Sequence, residues 1–182
     1  MECRHGPRHA RRGVTYIEAC LALGVSSLLL ALALPSLGQL RQQMQLRARA
    51  EQLASDLRLA RAEAVRLAEP VHFRISGKGS EACYLLHRGP LNGCDCAAGA
   101  ARCTQPGGAI LKTEWLPPGQ PVRITSNAET LTFQFSQGLV TQTGSVDLRL
   151  SSGEAIRQVV AITGRVRSCY IGRAVVNMPR CA

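Results

Sequence analysis

The sequence predicts an α+β fold in which a long N-terminal helix packs on a C-terminal antiparallel β domain. Three observations predict it. An apolar run follows a basic leader, a helical stripe of small and aliphatic residues follows the run, and short β-like segments cut by Gly, Pro, Asn and Ser fill the rest. A chain of 182 residues suits one long helix and one compact domain. The expected organisation is a leader at 1–13, an apolar helix at 14–38, an amphipathic helix at 39–69 and a globular β-rich domain with a basic tail at 70–182.

The leader carries Arg4, Arg8, Arg11 and Arg12, and positive flanks of this kind stay on the cytoplasmic side of a membrane. Val14 to Leu34 is 21 residues, about 30 Å as a helix at ~1.5 Å per residue, enough to cross a bilayer core. A cleaved secretory signal would use the A-x-A site at Ala31-Leu32-Ala33. A plain anchor would leave the run uncut. A third route cuts on the cytoplasmic side after Gly13 and keeps the apolar helix on the mature chain. Glu18 separates these readings. A carboxylate in a lipid-facing helix costs roughly 2.5–3.5 kcal/mol on insertion scales and needs a partner. Cleavage after Gly13 supplies one in kind, the new α-amino group of Val14, so one subunit's Glu18 can neutralise its neighbour's amine in a helical filament.

Gln39 to Ala68 has helix-forming composition with neither Gly nor Pro, and Pro70 ends it. Ala50, Leu53, Leu57, Ala60, Ala64 and Leu67 recur at steps of three and four, one apolar stripe that packs on the downstream domain. Arg58, Arg61 and Arg66 lie off it. Leu37 to Met44 continues the apolar helix.

From Val71 the expected strands are Val71–Ile75, Cys83–His87, Ile110–Leu116, Val122–Thr125, Leu131–Phe135, Val146–Leu150, Gln158–Ile162 and a last piece near Ile171–Val176. Asn92 to Gly108 is a Gly-, Ala- and Cys-rich loop with little periodicity, which its cysteines are expected to staple. Of eight cysteines, Cys3 leaves with the leader and Cys20 lies in the apolar run. Cys83, Cys94, Cys96, Cys103, Cys169 and Cys181 remain, an even set suited to disulfides in an oxidising compartment. Six cysteines allow 15 pairings, and sequence does not choose among them. A loop closed by Cys169 and Cys181 is one candidate. The spacing of Cys94 and Cys96 is too short for the usual structural zinc pattern, so no metal site is expected. His72 and His87 read as ordinary strand residues, and Trp115 as a core residue beside a turn.

The stretch Gly13-Val14-Thr15-Tyr16-Ile17-Glu18 resembles the type IV pilin and pseudopilin signal, Gly-Phe-Thr-Leu-Ile-Glu, with Val14 and Tyr16 as departures. Pro35 falls where pilin helices carry a kinking proline. Ala50 to Ala64, with Leu57-Arg58-Leu59-Ala60-Arg61-Ala62-Glu63-Ala64 followed by Pro70-Val71, is similar to the helix signature of the FimT/GspH minor pseudopilins. Phe133-x-Phe135 leading to Gly138 also fits that family. Thr163-Gly164-Arg165-Val166-Arg167 looks like the Gly-Arg-x-Arg motif of the FimT branch, which the resemblance associates with DNA binding in natural transformation. The resemblance implies a type IV pilin-like fold, cleavage after Gly13 by a prepilin peptidase and methylation of Val14. It implies a subunit held in the inner membrane by a single pass, with a periplasmic domain, that later joins other pilins in a pilus or pseudopilus.

Charge bears on the partner. The formal charge is +10; four Arg against one Glu leave with the leader, so +7 stays on the mature chain. After Glu154 no acid appears, while Arg157, Arg165, Arg167, Arg173 and Arg180 follow. Gly164 permits a turn of positive φ, and Arg165 and Arg167, two apart in an extended segment, would share a face and grip successive phosphates. The expected DNA-binding set is Gly164, Arg165, Arg167, Arg173 and Arg180. Backbone contacts carry no base information and weaken with salt, which suits capture of any duplex. With Tyr170 the only aromatic nearby, stacking on single strands is poorly supplied. Ser145, Ser151 and Ser152 lack a nucleophile-elbow context and no phosphate loop precedes a helix, so no enzyme, catalytic residue or cofactor is expected. Two other functions compete: a structural GspH-like pseudopilin of a type II secretion system, and an initiator of pilus assembly, neither binding DNA.

Overall fold

The computed structural model describes residues 15–77, 82–97, 99–116, 119–175 and 177–181, without the side chains at 32–36 and 97. Packing divides the chain into two units, one reaching Leu40 and one spanning Arg41–Ala182. One helix, α1 (Tyr16–Leu67, 52 residues), enters both. Thr15 starts it: its Oγ1 accepts from the Glu18 amide at 3.3 Å, and its carbonyl accepts from the Ala19 amide at 3.0 Å. A threonine N-cap followed three residues later by Glu is the capping-box pattern. Where the sequence suggests two segments, 14–38 and 39–69, with a kinking proline at Pro35, α1 is one helix running unbroken through both. Among the described residues no helix is long and apolar enough to cross a membrane. The expected run, Val14 to Leu34, includes residue 14 and the side chains at 32–34, which lie outside that set.

Among the described residues of the second unit, ten strands form two four-stranded antiparallel sheets and a hairpin. The first sheet, in the order β5-β2-β1-β7, uses β1 (Val71–Ser76), β2 (Cys83–Arg88), β5 (Ala109–Trp115) and β7 (Thr130–Phe133). The second, β10-β9-β8-β6, uses β6 (Val122–Ser126), β8 (Gly144–Leu150), β9 (Glu154–Val160) and β10 (Val166–Gly172). The hairpin β3 (Cys94–Ala97) and β4 (Ala100–Cys103) lies in the stretch whose composition suggests an irregular loop. Its strands are four residues each, and Cys94 and Cys103 are both register partners and disulfide-bonded. Cys83–Cys96 ties the hairpin to β2, and Cys169–Cys181 closes the C-terminal segment. All six expected cysteines are thus paired; Cys20 is free.

The helical stripe is buried as its spacing requires: Ala50, Leu53, Leu57, Ala60 and Ala64 pack with Phe73, Leu86 and Phe133 of the first sheet and Leu148, Ile156 and Val160 of the second. Leu67, the last stripe position, is only half-buried. Polar anchors fix the helix between them. Buried Asp56 accepts from the Tyr84 hydroxyl at 2.8 Å and from Lys112 Nζ at 2.5 Å. That arrangement, with burial first, pushes the Tyr84 phenol far up. From the other sheet, buried Gln158 donates to the Ala50 carbonyl at 2.9 Å and accepts from Ser168 at 2.7 Å. A buried amide costs free energy unless it is bonded, so Gln158 also specifies how β9 sits on α1.

Candidate nucleic-acid interface

The C-terminal arginines sit on a scaffold made by two turns. Gly164 lies in the β9–β10 turn with φ 71°, and its amide donates to the Ala161 carbonyl at 2.8 Å. The neighbouring loop after β7 crosses it: the Val140 amide donates to the Ile162 carbonyl at 2.9 Å. A Cβ on Gly164 would stand 2.1 Å from the Gly138 carbonyl oxygen. Gly164 is therefore buried and packed against backbone; what it contributes is the turn that presents Arg165.

Arg165 and Arg167 are both exposed, as expected, but they do not share one groove. Arg165 precedes β10 and lines a groove with Arg58 and Arg61 of α1. Arg167, inside β10, lines another with Arg157 and Arg180. The difference arises because the turn delivers Arg165 beside the helix before β10 begins its ladder at Val166. Arg180 is brought next to β10 by the C-terminal segment. The Tyr170 amide donates to the Pro179 carbonyl at 2.9 Å, the Cys181 amide to the Tyr170 carbonyl at 3.0 Å, and the Cys169–Cys181 bond locks this addition.

Not every arginine here is free to meet a ligand. Arg157 grips Asp147 through two hydrogen bonds at 2.6 and 2.9 Å, with Arg149 adding a third at 2.9 Å. Burial would raise the Asp147 carboxyl, but the bonds from Arg157 and then Arg149 outweigh it and hold it below the usual carboxylate range. Arg173 faces Glu154 at 3.9 Å. By contrast Arg165, Arg167 and Arg180 have no acidic partner among the described residues. Of the expected set these three remain as exposed, unneutralised cations, Arg173 is partly countered, and Gly164 is scaffold.

In the sequence, the helix arginines at this groove are legible only as residues off the apolar stripe; no spacing joins them to Arg165, which lies in a distant strand turn. At the other end, Gly13 and Val14 lie outside the described residues, while Glu18 is exposed in the first turn of α1.

A family model described as "Type II transport protein GspH" matches residues 49–164. No curated protein matches the sequence. Among solved structures, the chain is similar to the type IV minor pilin FimU of Pseudomonas aeruginosa, with 19% identity and a TM-score of 0.48, covering 68% of this chain and 87% of that one. It is similar also to the minor pseudopilin EpsH of the Vibrio cholerae type 2 secretion system, with 14% identity and a TM-score of 0.47, covering 70% and 96%.

Proposed function

Because the chain belongs to the GspH family, we propose that it is a minor subunit of a pilin-like filament that binds the backbone of double-stranded DNA through Arg165, Arg167 and Arg180, for DNA uptake in natural transformation. One observation supports the DNA reading above others. The three guanidinium groups are exposed without carboxylate partners among the described residues, in a stretch that holds no acid after Glu154. Unpaired arginines are suited to phosphate oxygens by their fork of donors. Arg167 and Arg180 flank one groove held by a disulfide, so little ordering is needed on binding. In this reading a prepilin peptidase cuts after Gly13 and methylates Val14. The subunit rests in the inner membrane by its apolar helix and then joins other pilins.

Duplex binding by the full chain in non-ionic detergent, measured across a salt series, tests the proposal. Removing one phosphate-gripping cation lowers the slope of log affinity on log salt by about 0.9. An Arg165→Gln/Arg167→Gln variant is expected to bind about tenfold more weakly at low salt, with a slope shallower by roughly 2. The family's description as a transport protein favours a second reading, a structural pseudopilin of a type II secretion system. Equal binding by wild type and variant would leave that reading in possession.

A further inference from the structure

Arg58 and Arg61 stand three residues apart on the exposed face of α1 and line one groove with Arg165. None of the three has an acidic partner among the described residues, and the helix carboxylate next to them in sequence, Glu63, is held by Arg66 at 2.6 and 3.0 Å. Like charges at this helical spacing repel by a few tenths of a kcal/mol, so the isolated protein gains nothing from their juxtaposition. Their positions are nevertheless built. Arg61 Nη2 donates to the Gln137 carbonyl at 3.4 Å. Its side chain fills the space over both glycine turns, where a Cβ on Gly138 would meet Arg61 Cγ at 2.7 Å and one on Gly164 would meet Arg61 Cδ at 3.1 Å. The same turn that buries Gly164 thus sets Arg165 beside an arginine already lodged against it.

We propose that Arg58 and Arg61 form with Arg165 a phosphate-binding subsite, so that a DNA duplex is held at the helix as well as at the C-terminal strand. This rests on the DNA reading above and extends its footprint to residues that the C-terminal motif does not contain. A groove of three guanidiniums with no carboxylate partner among the described residues suits a phosphodiester, whose charge is spread over oxygens that a guanidinium fork can reach in pairs.

Titrations of the full chain with a fluorescent duplex, across a salt series, compare wild type with R58Q/R61Q, R58K/R61K and R167Q/R180Q. R58Q/R61Q is expected to bind about tenfold more weakly at low salt and to flatten the salt slope by roughly 2, while remaining folded at the assay temperature with a thermal midpoint lowered only by the lost Arg61 packing on the two turns. The lysine pair, which keeps the charge, should retain most of the slope. If R58Q/R61Q matches wild type in affinity and slope while R167Q/R180Q is weakened, the subsite is refuted and the DNA reading stands. A wild type that binds no duplex overturns both. Loss of binding to phosphatidylglycerol vesicles, with duplex binding intact, would assign the groove to a membrane surface and also overturn the proposal.

Discussion

Gly164 and Arg165 are neighbours in one motif with separable tasks. Gly164 adopts φ 71°, a conformation that costs other L-residues about 1–2 kcal/mol. An added methyl would also press on the Gly138 carbonyl, which belongs to backbone and cannot swing aside. Overpacking of this kind typically costs about 1–3 kcal/mol, so Gly164→Ala should destabilise the fold by roughly 2–4 kcal/mol. Urea unfolding would register this as a lower midpoint at constant m. Arg165→Gln, at an exposed position without an ion pair, should leave stability within about 0.5 kcal/mol of wild type. An unmoved midpoint for Gly164→Ala would mean the two turns do not interlock as described.

Paired strands add a property that neither residue has alone. His72 on β1 and His87 on β2 are register partners with ring centroids 4.9 Å apart, both buried. His72 is bonded, Nδ1 to Thr132 Oγ1 at 2.9 Å and Nε2 to the Gly89 carbonyl at 3.0 Å. Neither ring nitrogen of His87 makes a well-aligned hydrogen bond among the described residues, although the Arg88 backbone lies close enough to favour its proton. Burial first, then the charges of His72 and Arg74, push His87 down to about 4, and burial lowers His72 as well. A depressed histidine is neutral in the fold and takes up its proton on unfolding. Its contribution is complete above the ordinary value near 6.5 and disappears as pH falls from there toward 4. Acidification from about pH 7.5 to 4.5 should therefore cost on the order of 2 kcal/mol through His87. His87→Leu should remove most of that cost, while an equal cost in the variant would shift the cause to the carboxylates. The same strands show what sequence can reveal. Aliphatic and β-branched content makes β1, β2, β5 and β6 legible, because those residues face a packed side. Burial in β7 is nearly continuous, and the strand stops at Phe133, leaving Phe135 half exposed. The hairpin β3–β4 is hidden, since Cys, Ala and Asp carry no period and the disulfides supply what side-chain packing does not. The pattern near Ile171–Val176 suggests the last strand, yet it runs Val166–Gly172: Gly164 opens it, and Gly172, with φ 75°, closes it. Distance in sequence conceals the groove of Arg58, Arg61 and Arg165, which only packing of α1 on the sheets creates.

At the scale of the whole molecule, Glu18 serves a subunit whose compact unit begins only at Arg41. Two physical roles compete. As the third residue of a capped helix, its carboxylate lies beside the unsatisfied amides of the first turn, a placement that stabilises by about 0.3–1 kcal/mol. As the sole charge between Val14 and Leu34, it is also the group a neighbour's freed amine would seek in an apolar filament core, where an unmatched charge costs several times more. Nothing pairs with its side chain among the described residues, so the carboxylate is free for either role. Substituting Glu18→Gln separates them, because glutamine keeps the backbone bond to Thr15 and gives up only about 0.3–1 kcal/mol of attraction to the helix terminus, but cannot match the charge of an amine. If charge matching governs assembly, both this variant and wild type made in the native host should begin with methylated Val14 by mass spectrometry, yet the variant should stay in the membrane fraction and be missing from sheared filaments. If capping is the whole role, it should enter filaments in wild-type amounts. A wild-type chain beginning at any residue other than Val14 would remove the amine, and with it the reason for the acid.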